Sequence, residues 1–329
     1  MCFCYVLLQK HITILWPDKY ANLCEMSRPL HLAHLRSFLF APADHPRRAE
    51  RALASAADAA ILDLEDAVAP ARKDEAREAA GALLSAPAPT TGSPGEAAAA
   101  GGSPAAPVPA RGTSGAPARL LRINAADTPW FASDVALIAQ ARPDAVVLPK
   151  ASVAALAALP PDCPPVYALV ESAVGLREAF EIAASPRVAA LMLGAVDLAA
   201  DLGLGHRDDG AELLLARSQL VRDSRAAGAL PPIDGVWTRL DDPAGLARDA
   251  ALARDLGLRG KLCIHPAQLD AVRAAFAPGE RERDWAQRVV GAYASATAQG
   301  EGAVSVDGEM VDVAVVERAQ RVLRESETA

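Results

Sequence analysis

Eight short apolar, strand-prone runs recur along the chain, with helix-like stretches between them. This alternation constrains the fold more than any other feature. The runs are 37–40, 60–64, 120–123, 145–148, 166–170, 190–193, 232–236 and 261–264. Helical patterns follow them at 47–57, 72–84, 131–141, 153–159, 176–184, 211–227, 244–256 and 267–276. Strict strand–helix alternation implies parallel strands with helices packed outside. Eight such units predict an α/β fold of the (β/α)8 TIM-barrel type rather than an open doubly wound sheet. A dinucleotide fold would place a glycine-rich turn after the first strand, where this chain has Ala41, Pro42, Ala43 and Asp44. Gly203 and Gly205 have no strand directly before them and make a weak decoy.

Two segments stand apart from this pattern. Residues 1–34 hold Cys2, Cys4 and Cys24, four aromatics and two of the five lysines. Lys10 and His11 break the apolar run, and no small-residue cleavage site follows, so a secretory signal is not expected. The stretch reads as an N-terminal extension, with Met26 as a candidate true start. Residues 85–118 are rich in Pro, Gly, Ala and Ser and are expected to be a disordered insert, because they cannot recover their ordering entropy. Setting both aside leaves 261 residues, near the ~250 typical of such a barrel. The barrel is expected over 35–278 and a C-terminal helical extension or lid over 279–329. The insert falls in a helix-to-strand connection, on the face opposite a barrel's active site.

Alanine accounts for 75 of the 329 residues, so the 51% hydrophobic content overstates the core-forming material. The net charge of −8 argues against nucleic acid or an anionic membrane surface as a partner. No apolar run reaches the roughly 18 residues of a membrane span. The five scattered cysteines form no framework and point to a reduced, cytoplasmic setting.

In a barrel the chemistry sits where strands end, and here the strand exits carry the polar groups. The second run ends in Asp63, Glu65 and Asp66, the third in Arg122 and Asn124, and the fourth in Lys150. The fifth ends in Glu171, the sixth in Ala195, Val196 and Asp197, and the eighth in His265. Any one acid could simply cap a helix, as Asp66 and Asp197 would; six polar exits around one mouth suggest a site. Glu171 and Asp197 form the expected metal pair. Two carboxylates without a Cys–His cluster suit Mg²⁺, which keeps waters for substrate oxygens. Arg122 offers a fork matched to a carboxylate, though it could also neutralise the acids of the second exit. Asp63, Glu65 and Asp66 are acid/base candidates. The chain prefers arginine, 28 to five over lysine, so Lys150 at a strand end suggests a need for a compact ammonium. Lys73 reads more simply as a first-turn helix residue, Lys261 as half of a structural pair, and His265 as structural or catalytic.

At these residues the chain resembles the CoA-ester lyases related to the citrate lyase β subunit and malyl-CoA lyase. The resemblance is carried by RSFLFAPADHPRRAERA (36–52), ADAAILDLEDAVAPARKDEAR (57–77), LLRINAADTPW (120–130) and VVLPKA (146–151). It continues in ALVESAVGL (168–176), LMLGAVDLAADLG (191–203), IDGVW (233–237) and GLRGKLCIHPAQL (257–269). It implies a phosphoenolpyruvate/pyruvate-type barrel in homotrimers or hexamers, with Mg²⁺ on Glu171 and Asp197 and the substrate carboxylate on Arg122. Lys150, Ala195 and Val196 fall among the implied substrate-binding positions. The resemblance further implies that the C-terminal extension reaches a neighbouring subunit's site and presents Asp312 as acid/base. The chain departs from the family pattern at Ala314, Ser172 and Trp237, where proline, threonine and a smaller aromatic are usual.

The expected activity is Mg²⁺-dependent cleavage or formation of a 3-hydroxyacyl-CoA such as malyl-CoA, methylmalyl-CoA or citramalyl-CoA. The expected partner is therefore the CoA thioester of a small hydroxy dicarboxylic acid. The rivals are a citryl-thioester lyase, a malyl-CoA thioesterase or malate-synthase-like reaction, a Schiff base on Lys150, and an inactive scaffold.

Overall fold

The computed structural model describes residues 32–86 and 116–327. The N-terminal extension and the insert fall largely outside the described residues, as does the candidate start Met26. Seven parallel strands form one sheet: β1 (Ser37–Pro42), β2 (Ala59–Asp63), β3 (Ala118–Arg122), β4 (Ala145–Leu148), β5 (Val166–Val170), β6 (Val188–Leu193) and β7 (Lys261–Cys263). Their order is β6-β5-β4-β3-β2-β1-β7, so strands adjacent in sequence pair in space except at the chain's return to β1. Around them lie α1 (Pro46–Leu53), α2 (Lys73–Ser85), α3 (Phe131–Ala141), α4 (Val153–Ala157), α5 (Ala173–Arg177) and α6 (Ala179–Ala184). Four more follow: α7 (Ala195–Asp201), α8 (Leu214–Ala226), α9 (Pro243–Leu256) and α10 (Leu269–Phe276).

The run at 232–236 is the one departure from the expected eight strands. It contributes two single-residue bridges, Ile233 to Met192 and Asp234 to Lys261. Ile233 exchanges backbone hydrogen bonds with β6, and Asp234 does so with Gly260 and Leu262. Pro231 and Pro232 have no N–H to extend a ladder, and Gly235 presses against Ala195, where a Cβ would come within 2.5 Å of the Ala195 Cβ. The segment is pinned at both neighbours without becoming a strand.

Alternation along each strand divides the core in two. Leu39, Leu62, Leu121, Val146, Val170 and Leu193 pack against the helices. Phe38, Ile61, Leu120, Val147, Tyr167, Met192 and Leu262 face inward. Phe38 of β1 meets Tyr167 of β5 edge to face at 5.4 Å, so the sheet curls until strands four places apart touch. The same period of two carries Asp63, Arg122 and Glu171 onto the inner face, just beyond the last inward apolar residues.

The C-terminal segment has its own small core. It comprises α11 (Glu280–Ala298), the hairpin β8 (Val304–Val306) and β9 (Glu309–Val311), and α12 (Val313–Glu327). Ala286, Val289, Val311, Val316, Ala319 and Val322 are buried together there. Ties to the rest of the fold include Arg36 to the Glu325 carbonyl, Arg259 to the Glu325 carboxylate, and the Arg254–Glu282 ion pair. Arg36 and Arg259 precede β1 and β7, so this attachment lies where the strands begin.

Candidate active site

β2 and β3 pair with Asp63 opposite Arg122, and this register builds one half of the site. Arg122 donates from Nε to Asp63 Oδ1 at 2.7 Å and from Nη2 to Oδ2 at 2.6 Å. The Glu65 and Ala67 amides donate to the same carboxylate at 2.8 and 3.3 Å. Both Asp63 oxygens therefore accept hydrogen bonds, and the pairing fixes the orientation of Arg122. Phe40 lies under the guanidinium, 4.8 Å from its carbon. Burial opposes the charge on Arg122, yet the Asp63 pairing outweighs it and holds the guanidinium above its ordinary range.

Nη1 is the remaining arm of the fork. It lies 2.9 Å from Glu65 Oε2 and 3.1 Å from Asp66 Oδ2. Glu65 is buried and Asp66 is exposed. Glu65 Oε2 is out of line for a hydrogen bond and has no other partner. Burial pushes the Glu65 carboxyl up to about 8, against Arg122 and aided by Glu171 and Asp66. Such a group can hold a proton near neutrality, as a general acid or base requires.

The other half comes from β4, β5 and β6. Glu171, just past β5, is buried and accepts at Oε1 from the Lys150 backbone amide at 2.6 Å. Lys150 adopts φ 45°, a left-handed conformation that a non-glycine residue keeps only when its surroundings impose it. Its contribution here is its amide; its side chain is exposed. Gly194, at the exit of β6, lies under Glu171: a Cβ there would come within 2.3 Å of the Glu171 Cβ and 2.8 Å of Oε2. Asp197 is exposed in the first turn of α7, next to buried Ala195 and exposed Val196. Burial, and then the negative charge of Asp197, push the Glu171 carboxyl up to about 7.

A divalent cation would relieve both pressures on Glu171. Among the described residues no group of three or more His, Cys, Asp or Glu is gathered as a metal site. Two carboxylate residues with room for water and substrate oxygens match Mg²⁺ better than a closed transition-metal cage. Glu171 and Asp197 thus fit magnesium on the chemistry of their donors.

Three further residues that the sequence singled out also have defined partners. Asp312 caps α12, accepting from the amides of Ala314 and Val315, in the segment attached where the strands begin. His265 is exposed and caps the turn after β7, its Nδ1 accepting from the Ala267 amide at 3.1 Å. Lys261 is buried between Asp234 and Asp249, at 2.5 Å from each, and Arg217 completes the cluster. Lys73, read from the sequence as a first-turn helix residue, does open α2, but it is buried beside the Glu65 turn. The signal available was its rarity in an arginine-rich chain.

The family description HpcH/HpaI aldolase/citrate lyase matches residues 36–97 and 161–266. The chain is 36% identical over 302 residues to a (3S)-malyl-CoA thioesterase of Cereibacter sphaeroides, covering 90% of this chain and 96% of that protein. It is 33% identical to the citrate lyase subunit beta of Leuconostoc mesenteroides subsp. cremoris, covering 88% and 92%. Among solved structures it resembles Mycobacterium tuberculosis CitE in complex with magnesium, acetoacetate and coenzyme A. That match has a TM-score of 0.72 and 35% identity, covering 90% of this chain and all of that one.

Proposed function

The chain belongs to the HpcH/HpaI aldolase/citrate lyase family of enzymes, and from that premise we propose a magnesium-dependent carbon–carbon lyase. Its substrate would be a 3-hydroxyacyl-CoA such as malyl-CoA, methylmalyl-CoA or citramalyl-CoA, giving a 2-oxo acid and an acyl-CoA. The observation that carries this reading is the facing of two groups. Arg122 Nη1, the arm of its fork that Asp63 does not take, is paired only with Glu65 and Asp66 among the described residues, and Glu171 and Asp197 lie at the exits of β5 and β6.

Glu171 and Asp197 would hold magnesium, whose chemistry there is Lewis-acid polarisation of the hydroxy-acid oxygens. Arg122, locked by Asp63, presents Nη1 to the substrate carboxylate, and Glu65 and Asp66 yield that nitrogen when the substrate arrives. Glu65 is the acid/base within the chain. As base it takes the hydroxyl proton; the C–C electron pair passes to the thioester half as an enolate, which then acquires a proton. The preformed charges need little rearrangement as that negative charge develops. Lys150, Ala195 and Val196 line the approach. We read the seven strands with Ile233 and Asp234 as a closed ring of eight. Asp312 would act on the site of a second copy in a homotrimer or hexamer.

A thioesterase outcome is favoured by the similarity to the (3S)-malyl-CoA thioesterase. The test is a magnesium-dependent assay against malyl-, methylmalyl-, citramalyl- and citryl-thioesters with product analysis. A lyase gives an acyl-thioester and a 2-oxo acid; a thioesterase gives free CoA and the hydroxy acid. Full activity in EDTA with a borohydride-trappable Lys150 adduct would overturn the metal reading.

A further inference from the structure

We propose that Lys73 is a positioning residue for this reaction, setting the Glu65–Asp66 turn against Arg122; this rests on the reading of Glu65 and Arg122 given above. Lys73 opens α2, where the positive end of the helix dipole disfavours a cation and an exposed side chain is the ordinary outcome. It is instead 5% exposed. Its ammonium donates to the Leu64 carbonyl at 2.7 Å, the Glu65 carbonyl at 2.8 Å and Asn124 Oδ1 at 2.7 Å. That uses all three donors of the group. The Trp130 ring lies 5.1 Å away and closes the pocket.

The turn is therefore gripped from two sides. Asp63 accepts from its amides at Glu65 and Ala67, and Lys73 donates to its carbonyls at Leu64 and Glu65. The third acceptor is itself fixed. Asn124 donates from its backbone and its Nδ2 to Asp134 Oδ2, and Asp134 Oδ1 accepts from Arg77 Nε. A rigid relay thus runs from α2 and α3 to the peptide planes on either side of Glu65. Three acceptors converging on one point suit an ammonium; a planar guanidinium, with its donors in a fixed fork, cannot meet them. This accounts for a lysine where the chain otherwise uses arginine. Lys73 touches neither the Glu65 carboxylate nor Arg122, and acts through the backbone.

The test combines Lys73→Met, Lys73→Arg and Glu65→Gln in the full-length protein with magnesium and malyl-CoA. Displacement of the turn by about an ångström should lower kcat about 10- to 100-fold in Lys73→Met and in Lys73→Arg, which keeps the charge and guards against a misfolded methionine variant. Adding Lys73→Met to Glu65→Gln should cost little more, because both act on one group. Independent multiplicative losses, or wild-type kcat in a folded variant, would overturn the proposal. Hydrogen exchange gives a readout without substrate: the Glu65 and Ala67 amides should exchange faster in both Lys73 variants while the β3 amides stay protected. Unchanged protection overturns the positioning role, whereas a wild type inactive on every thioester overturns only the assigned reaction.

Discussion

Arg122 carries two sets of contacts in one geometry. Two of its nitrogens are held by Asp63 and the third is paired with Glu65 and Asp66. Arg122→Lys keeps the charge but cannot keep the fork and offer a further donor. We expect kcat/KM to fall about 100-fold or more, read in steady-state assays. Glu171 gives the pH dependence. Its carboxyl is pushed up to about 7, so protons compete with the cation below that value. Because the folded value is raised, charging Glu171 without a cation costs stability, and that cost appears as pH rises through about 7. Magnesium affinity should therefore climb by close to tenfold per pH unit below about 7 and level off above it, releasing one proton on binding. Calorimetry in buffers of different ionisation enthalpy reads both quantities. Asp197→Ala should abolish turnover and remove most of this affinity; full activity in that variant would rule out the metal pair.

At the scale of elements, the seam between β6 and β7 is held differently from the rest of the sheet. A proline-led segment supplies only two bridges, and four charges are buried beside it: Arg217 and Lys261 against Asp234 and Asp249. Such a cluster is weak evidence for net stability, but removing one member strands the others. Asp234→Ala leaves Lys261 and Arg217 short of a partner and should cost about 3–5 kcal/mol, measured by urea unfolding. The expected strand at 232–236 was legible as an apolar run but not as a pair of bridges, because that outcome depends on how closely Gly235 and Ala195 approach. Helix bounds were read within a few residues at α3 and α9. The 176–184 stretch divides into α5 and α6 at Glu178, whose carboxylate accepts from the Val153 amide at the start of α4.

For the whole molecule, the decisive question is where the C-terminal segment acts. Its ties at Arg36, Arg254 and Arg259 place its attachment where the strands begin, away from the exits that carry Glu171 and Arg122. If Asp312 serves a second copy's site, Asp312→Ala and Asp197→Ala proteins should each be inactive alone. Mixing them under conditions of subunit exchange should restore part of the activity, because some sites then receive both intact groups. No recovery in exchanging mixtures would place Asp312 outside the reaction. Loss of the cap alone should weaken α12 by about 1 kcal/mol, a separate effect visible in thermal melts.

The alternation of strands and helices was determined by the sequence itself, since periods of 2.0 and 3.6 are local properties of the chain. From that period also follows the inward side of Asp63, Arg122 and Glu171. The sequence could not determine what each group touches. Asp63 became the clamp of Arg122 because β2 and β3 pair in one register, and the Glu65 carboxyl is pushed up because the turn buries it. Lys73 entered the site from a helix start through contacts with Leu64, Glu65 and Asn124. Ion pairing and burial depend on distances between segments far apart in sequence, and only the folded arrangement sets those distances.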